Sequence, residues 1–281
     1  MAAYACLAGL EVGDGYPVRL VGAINVSPES FYRESVAAGE EALRSRAEQM
    51  AAEGADMIDV GAMSTAPYLA TAISEAEETR RLTSAIRVLR QAVALPVSAD
   101  TTRSRVALAA LEAGAAVIND VSGFRGDPAM ADLAARRADG VVLMASETAA
   151  GATDPVRTVL DLLRRSCAAA DAAGIPKDRV VLDPGIGFFR RAALSWEVWD
   201  CELLRRLAEL RPLNRPILIG LSRKSFIGKI LGRPDPIDRL AGSLAATAVA
   251  VLNGAHIIRT HDVGPTRDAI RMAEALRPAG C

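Results

Sequence analysis

The chain has 281 residues, 51% hydrophobic and 24% charged, which is the balance of a globular protein with a large buried core and length enough for one barrel-sized domain. A formal net charge of −1 argues against a nucleic-acid partner, no run approaches the roughly 18 apolar residues of a membrane span, and Glu11 and Asp14 interrupt the N-terminal segment too early for a secretory leader. Cys6, Cys167, Cys201 and Cys281 lack CxxC or CxxH spacing, which argues against a zinc site or a disulfide framework and for a soluble, cytoplasmic protein.

Short apolar runs alternate with longer segments rich in Ala, Leu, Arg and Glu. The runs lie at 18–26, 57–63, 97–100, 117–120, 141–144, 180–183, 217–221 and 257–259. None alternates strictly with polar residues, as expected of strands buried on both faces of a parallel sheet. Helical spacing of apolar residues predicts helices at 40–53, 75–92, 103–113, 155–173, 194–210, 238–253 and 265–276. Gly54, Gly114, Gly174 and Gly254 sit just past helix ends, where a left-handed cap favours glycine. Strand–helix units in series predict one α/β domain over residues 1–281, a (β/α)8 TIM barrel. An open doubly wound sheet is the alternative, weakened by the lack of GxGxxG after the first strand. The stretch GRPDPID (232–238) reads as a loop between the seventh strand and its helix.

The informative feature is what ends each run. In order these are Asn25, Asp59 with the Ser64–Thr65 loop, Asp100, Asn119 with Asp120, Asp183, the Ser222–Arg223–Lys224 triplet, and Arg259 with His261. One aspartate at a strand end can simply cap the next helix. Six or seven polar groups on the same rim of a barrel converge on one pocket, at the face where barrel enzymes place their active sites. Asp100, Asn119 and Asp183 offer planar acceptors and one amide, suited to a flat heterocycle with a 2-amino-4-oxo edge. Lys224 supplies a compact donor for a carbonyl and a ring nitrogen. Asn25, Ser222, Arg259 and His261 form a second cluster suited to an anion such as a phosphate.

GAINVSPESF (22–31), ADMIDVGAMSTAP (55–67), SADTTRSRVALAALEAGAAVINDVSG (98–123), VVLDPGIGF (180–188), GLSRKSFIG (220–228) and GAHIIRTHDV (254–263) resemble, in order and over nearly the whole chain, the dihydropteroate synthase family. That resemblance implies a TIM barrel joining 6-hydroxymethyl-7,8-dihydropterin pyrophosphate to an arylamine, usually p-aminobenzoate, with release of pyrophosphate. It implies Asp100, Asn119, Asp183 and Lys224 as pterin-pocket residues and Asn25 as the ligand of a Mg²⁺ ion carried by the pyrophosphate. It further implies Arg259 and His261 as pyrophosphate anchors, Ser222 and Phe188 near the arylamine, Ser64 and Thr65 in the second substrate-facing loop, and a homodimer. The implied chemistry is dissociative: cationic anchors and the metal stabilise the leaving group while the dihydropterin supports positive charge on its methylene carbon.

Three blocks depart from the family pattern. Arg33, Glu34 and Ser35 replace a Gly pair and an Asp in the first loop. Ala66 stands where an arginine is usual, and Leu143–Met144–Ala145–Ser146 lacks a common histidine. By the resemblance, all three are expected on the side of the second substrate or the leaving group. A synthase in which Arg33, Arg190 or Arg191 restores the charge is one reading. The others are a paralogue using a different, ribosylated arylamine, a pterin-dependent methyltransferase, and a pterin-binding protein without turnover.

Overall fold

The computed structural model describes residues 2–27, 39–63, 73–146 and 151–277. The chain opens with an antiparallel hairpin, β1 (Tyr4–Leu7) and β2 (Leu10–Gly13). Ala8 and Gly9 at its tip both have positive φ, 51° and 84°, the geometry of a two-residue primed turn.

Eight parallel strands follow: β3 (Arg19–Asn25), β4 (Met57–Gly61), β5 (Val97–Asp100), β6 (Val117–Asp120), β7 (Gly140–Met144), β8 (Val180–Asp183), β9 (Leu218–Gly220) and β10 (Ile257–Thr260). Their order in the sheet is β8-β7-β6-β5-β4-β3-β10-β9. A parallel bridge between Leu182 and Ile217, with Leu182 N–H donating to the Pro216 carbonyl at 3.0 Å, brings β8 to β9 and closes the barrel. Outside lie α1 (Glu40–Glu53), α2 (Glu75–Ala92), α3 (Ser104–Glu112), α4 (Met130–Arg137), α5 (Pro155–Ala172), α6 (Trp196–Arg205), α7 (Ser225–Leu231), α8 (Leu240–Leu252) and α9 (Val263–Ala275). The TIM barrel expected from the strand–helix alternation is therefore the observed fold.

Three helical expectations need correction. The 194–210 segment ends as α6 at Arg205 and continues as a 3-10 turn over Leu207–Leu213. The seventh strand is followed by α7, so GRPDPID lies after that helix and before a 3-10 turn, Pro236–Arg239, that leads into α8. Helix α4 had no predicted counterpart. Helices of seven and eight residues hold too few turns for apolar periodicity to stand out. The four glycines past helix ends have φ between 79° and 112°, in the left-handed region expected of them.

Two apolar clusters form the core. The larger fills the space between sheet and helices. The smaller gathers Val21, Met57, Val117, Val142, Val181, Leu218 and Ile257 with Ala5, Leu7 and Val12 of the hairpin, and seals the N-terminal end of the barrel interior. Among the described residues no helix is long and apolar enough to cross a membrane.

Candidate active site

Side chains of a strand alternate faces with a period of two. Each residue two steps beyond the small inner cluster therefore also faces the barrel interior, one layer higher. From Met57, Val117, Val181, Leu218 and Ile257 that step leads to Asp59, Asn119, Asp183, Gly220 and Arg259. The apolar floor and the polar rim are thus successive layers of the same strands, and β3 adds Asn25 two steps beyond Ala23.

At the centre lies Asp59, 2% exposed. Its Oδ2 accepts from Arg259 Nε at 2.6 Å and from Asn119 Nδ2 at 3.2 Å. The Arg259 Nη2 reaches Asp100 Oδ2 at 3.3 Å, and Asp100 and Asn119 are register partners across β5 and β6. Asp59 Oδ1 and Asp100 Oδ1 are buried without a hydrogen-bond partner among the described residues. Buried acceptors in that condition carry a desolvation penalty that a ligand rich in N–H donors would relieve. Burial, and then the neighbouring Asp59, push the Asp100 carboxyl up to about 7, against the pull of Arg259. Asp59 carried no role in the sequence reading beyond ending a strand. The signal was present, since it follows Met57 by the same two-residue step that separates Asn119 from Val117.

Across the rim Asp183 Oδ1 accepts the Gly185 N–H at 2.7 Å. Burial raises its pKa while Lys224 and Gly185 oppose the rise. Lys224 Nζ donates to the Ile186 carbonyl and stands 5.0 Å from the centroid of the half-buried Phe188 ring. Burial brings the lysine down to about 8, against the pull of Asp183 and Asp200. Glycine at 185 is required, because its φ is 75° and a Cβ there would lie 1.9 Å from the Ala145 carbonyl oxygen.

The second cluster joins β3, the loop after β9 and the end of β10. Ser222 Oγ lies 3.2 Å from the His261 backbone N, 3.0 Å from its Nδ1 and 3.3 Å from Asp262 Oδ2. A hydroxyl that accepts from both His261 nitrogens and donates to Asp262 satisfies all three, and assigns Nδ1 the proton. His261 Nε2 then faces Asn25 Nδ2 at 3.4 Å. Burial and the adjacent Arg259 bring His261 down to about 3, so it is neutral at pH 7. Burial in the field of Arg259, Arg46 and Arg223 outweighs the Asp262 carboxylate there, so in the ligand-free site His261 offers a phosphate its ring hydrogen bonds beside the charge of Arg259. Arg223, next to Ser222, is buried and committed to Asp262 through Nε at 2.9 Å and Nη2 at 2.8 Å.

The structure thus joins Asp100, Asn119 and Arg259 around Asp59, sets Lys224 beside Asp183 and Phe188, and links Asn25, Ser222 and His261. Ser64, Thr65, Ala66 and Arg33 lie outside the described residues. Arg190, a candidate for restoring charge, donates from Nε to the Gly187 carbonyl at 3.1 Å and from Nη2 to Ser225 Oγ at 2.6 Å. The β7 rim that lacks the histidine receives Arg125 instead, whose Nη2 lies 3.1 Å from Ser146 Oγ and 3.2 Å from the Met144 carbonyl. No feature of the sequence marked that arginine.

Comparison with known proteins bears on this geometry. The family model described as "Pterin binding enzyme" matches residues 21–261. The chain is 37% identical to the dihydropteroate synthase of Synechocystis over 92% of this chain and 89% of that protein. It is also 37% identical to that of Mycobacterium leprae, over 94% and 95%. Among solved structures, the Xanthomonas albilineans dihydropteroate synthase with 4-aminobenzoic acid superposes with a TM-score of 0.86 at 38% identity, covering 98% of each chain. The Thermus thermophilus enzyme in complex with 6HMPPP gives 0.81 at 38%, covering 97% of this chain and 99% of that one. The chain is a transferase that belongs to the pterin binding enzyme family, among the dihydropteroate synthases.

Proposed function

We propose that this chain condenses 6-hydroxymethyl-7,8-dihydropterin pyrophosphate with p-aminobenzoate and releases pyrophosphate. The observation that carries the reading is the interior rim: Asn119 and Asp183 stand one layer above the apolar floor, Asp100 is the register partner of Asn119, Lys224 faces Asp183, and Asp59 and Asp100 each keep a buried oxygen without a hydrogen-bond partner among the described residues. In this reading the carboxylates and the Asn119 amide hold the N–H edge of the pterin, and Lys224 donates to its carbonyl and ring nitrogen. Arg259 keeps its second Nη for a phosphate oxygen, because Asp59 and Asp100 take Nε and the other Nη. Phe188 and Ser222 face the arylamine, and the family resemblance gives Ser64 and Thr65 to the same substrate. Its nitrogen attacks the methylene carbon as the pyrophosphate leaves, and no protein nucleophile is required.

Among the described residues no group of three His, Cys, Asp or Glu side chains could hold a metal ion. A single amide oxygen from Asn25 fits Mg²⁺ that keeps most of its shell from water and substrate phosphates. Bound there with the pyrophosphate, Mg²⁺ would neutralise charge on the leaving group. The reading also includes a homodimer. Its support is the apolar surface of the last helices: Ile230 and Leu231 on α7, Val249 and Leu252 on α8, and Met272 on α9 are 46–61% exposed.

Purified protein with Mg²⁺, the pterin pyrophosphate and p-aminobenzoate should release pyrophosphate and form 7,8-dihydropteroate. Release only with a ribosylated aniline would replace the second substrate. Tight pterin binding without turnover on any arylamine, or consumption of a methyl-tetrahydropterin, would overturn the synthase reading.

A further inference from the structure

The turn that carries Phe188 is held from behind by α6. Asp200, completely buried on that helix, accepts the Gly187 N–H on Oδ1 at 2.8 Å. The residue before it, Trp199, stacks on Phe189 with centroids 4.8 Å apart. One turn earlier Trp196 lies 4.2 Å from the Arg190 guanidinium, which returns to the Gly187 carbonyl. Both the amide and the carbonyl of Gly187 are therefore fixed. On the other side of the turn is Lys224: a Cβ on Gly187 would sit 3.2 Å from Lys224 Cδ, and the Ile186 carbonyl and Phe188 ring flank Nζ. The turn is a socket for the lysine, and α6 is its back wall.

A carboxylate is a costly group for a back wall. Burial raises Asp200 to about 6, and its Oδ2 is buried without a partner among the described residues. A neutral acceptor would make the same bond to Gly187 without that penalty. The charge has other groups to act on. Lys224 and Arg190 are the cations facing it and Glu197 the nearby anion; Lys224 is also faced by Asp183, Arg190 and Arg259.

Resting on the pterin reading above, we propose that Asp200 is a positioning residue of the pterin site, which through the Gly187 amide and its own charge sets the place and protonation of Lys224 without touching substrate. It belongs to the socket that seats the donor, one shell behind the rim.

Two variants separate the parts. Asp200→Asn keeps an acceptor for Gly187 and removes the charge, and Asp200→Ala removes both. Calorimetric binding of the dihydropterin pyrophosphate, well below the melting temperature of each variant, should weaken roughly tenfold in Asp200→Ala. Asp200→Asn should recover most of that affinity near neutral pH, with its alkaline limb moved down by about one pH unit. A second readout needs no pterin. Lys177, Lys224 and Lys229 are the only lysines of the chain, so NMR of isotope-labelled lysine can follow Lys224 directly. Its titration should move down in Asp200→Asn. A Lys224 titration that stays in place, or a folded Asp200→Ala variant that binds as wild type does, would overturn the proposal. If Asp200→Ala does not fold, the Asn variant decides alone. Failure of wild type to bind the pterin would sink the functional reading and leave the lysine titration to judge this one.

Discussion

Lys224 and Asp100 set the two edges of a pH window for the pocket. The lysine donates most strongly when protonated, and burial places its pKa at about 8. The aspartate accepts from a ligand N–H best as a carboxylate, and burial beside Asp59 places it at about 7. Pterin affinity should therefore peak between about pH 7 and 8 and fall on both sides; binding that stays flat from pH 6 to 9 would remove both groups from the contact. The same shifts act on the ligand-free fold. Asp100, whose folded pKa lies above its ordinary 3.8, contributes stability that is present below that value and lost as pH rises through about 7. Asp100→Asn should consequently gain in melting temperature relative to wild type between pH 5 and 8, even as it loses pterin affinity. Asp183→Ala and Lys224→Ala should each weaken pterin binding by about 1–3 kcal/mol, because each leaves a buried partner unpaired. Unchanged affinity in both would refute the rim assignment.

At the scale of elements, the helices were read from local chemistry, and their ends show why. Asp154 caps α5, accepting from the Arg157 N–H at 3.0 Å with Pro155 in the first turn. Asp154→Ala should lower stability by about 1 kcal/mol in a denaturant melt without changing pterin affinity. Helix α8 presents a different problem. It reads LAGSLAATAVAVL, with no charged residue in thirteen, although Val249 and Leu252 face outward at 46% exposure. A helix apolar on both faces is ordinarily covered on both. Val249→Asp with Leu252→Asp should convert a dimer to a soluble monomer in light scattering. A wild type that is already monomeric would remove the homodimer from the reading.

The molecule as a whole is a barrel with a plug. Leu7 of the hairpin is completely buried, and β7 begins with Gly140 because a Cβ there would lie 2.3 Å from the Leu7 Cδ2. Leu7→Ala should cost about 2–5 kcal/mol of stability by cavity formation. The strands, most of the helices and the polar rim were legible in the sequence because each rests on local information: uninterrupted apolar runs, helical spacing, glycine past a helix end, a polar residue at a run's end. The resemblance carried by blocks such as GLSRKSFIG named the family for the same reason, since those residues are adjacent in the chain. The sequence by itself determined that there is a barrel and which polar residues end its strands. Only the tertiary structure decided how those groups are spent: that Asp59 is the hub for Arg259 and Asn119, that Ser222 joins His261 to Asp262, that Arg125 serves the β7 rim, and that Asp200 stands behind Lys224. Hydrogen bonds such as that of Arg259 to Asp59, 200 residues apart, and the loss of hydration that shifts each pKa exist only once the strands close and exclude water.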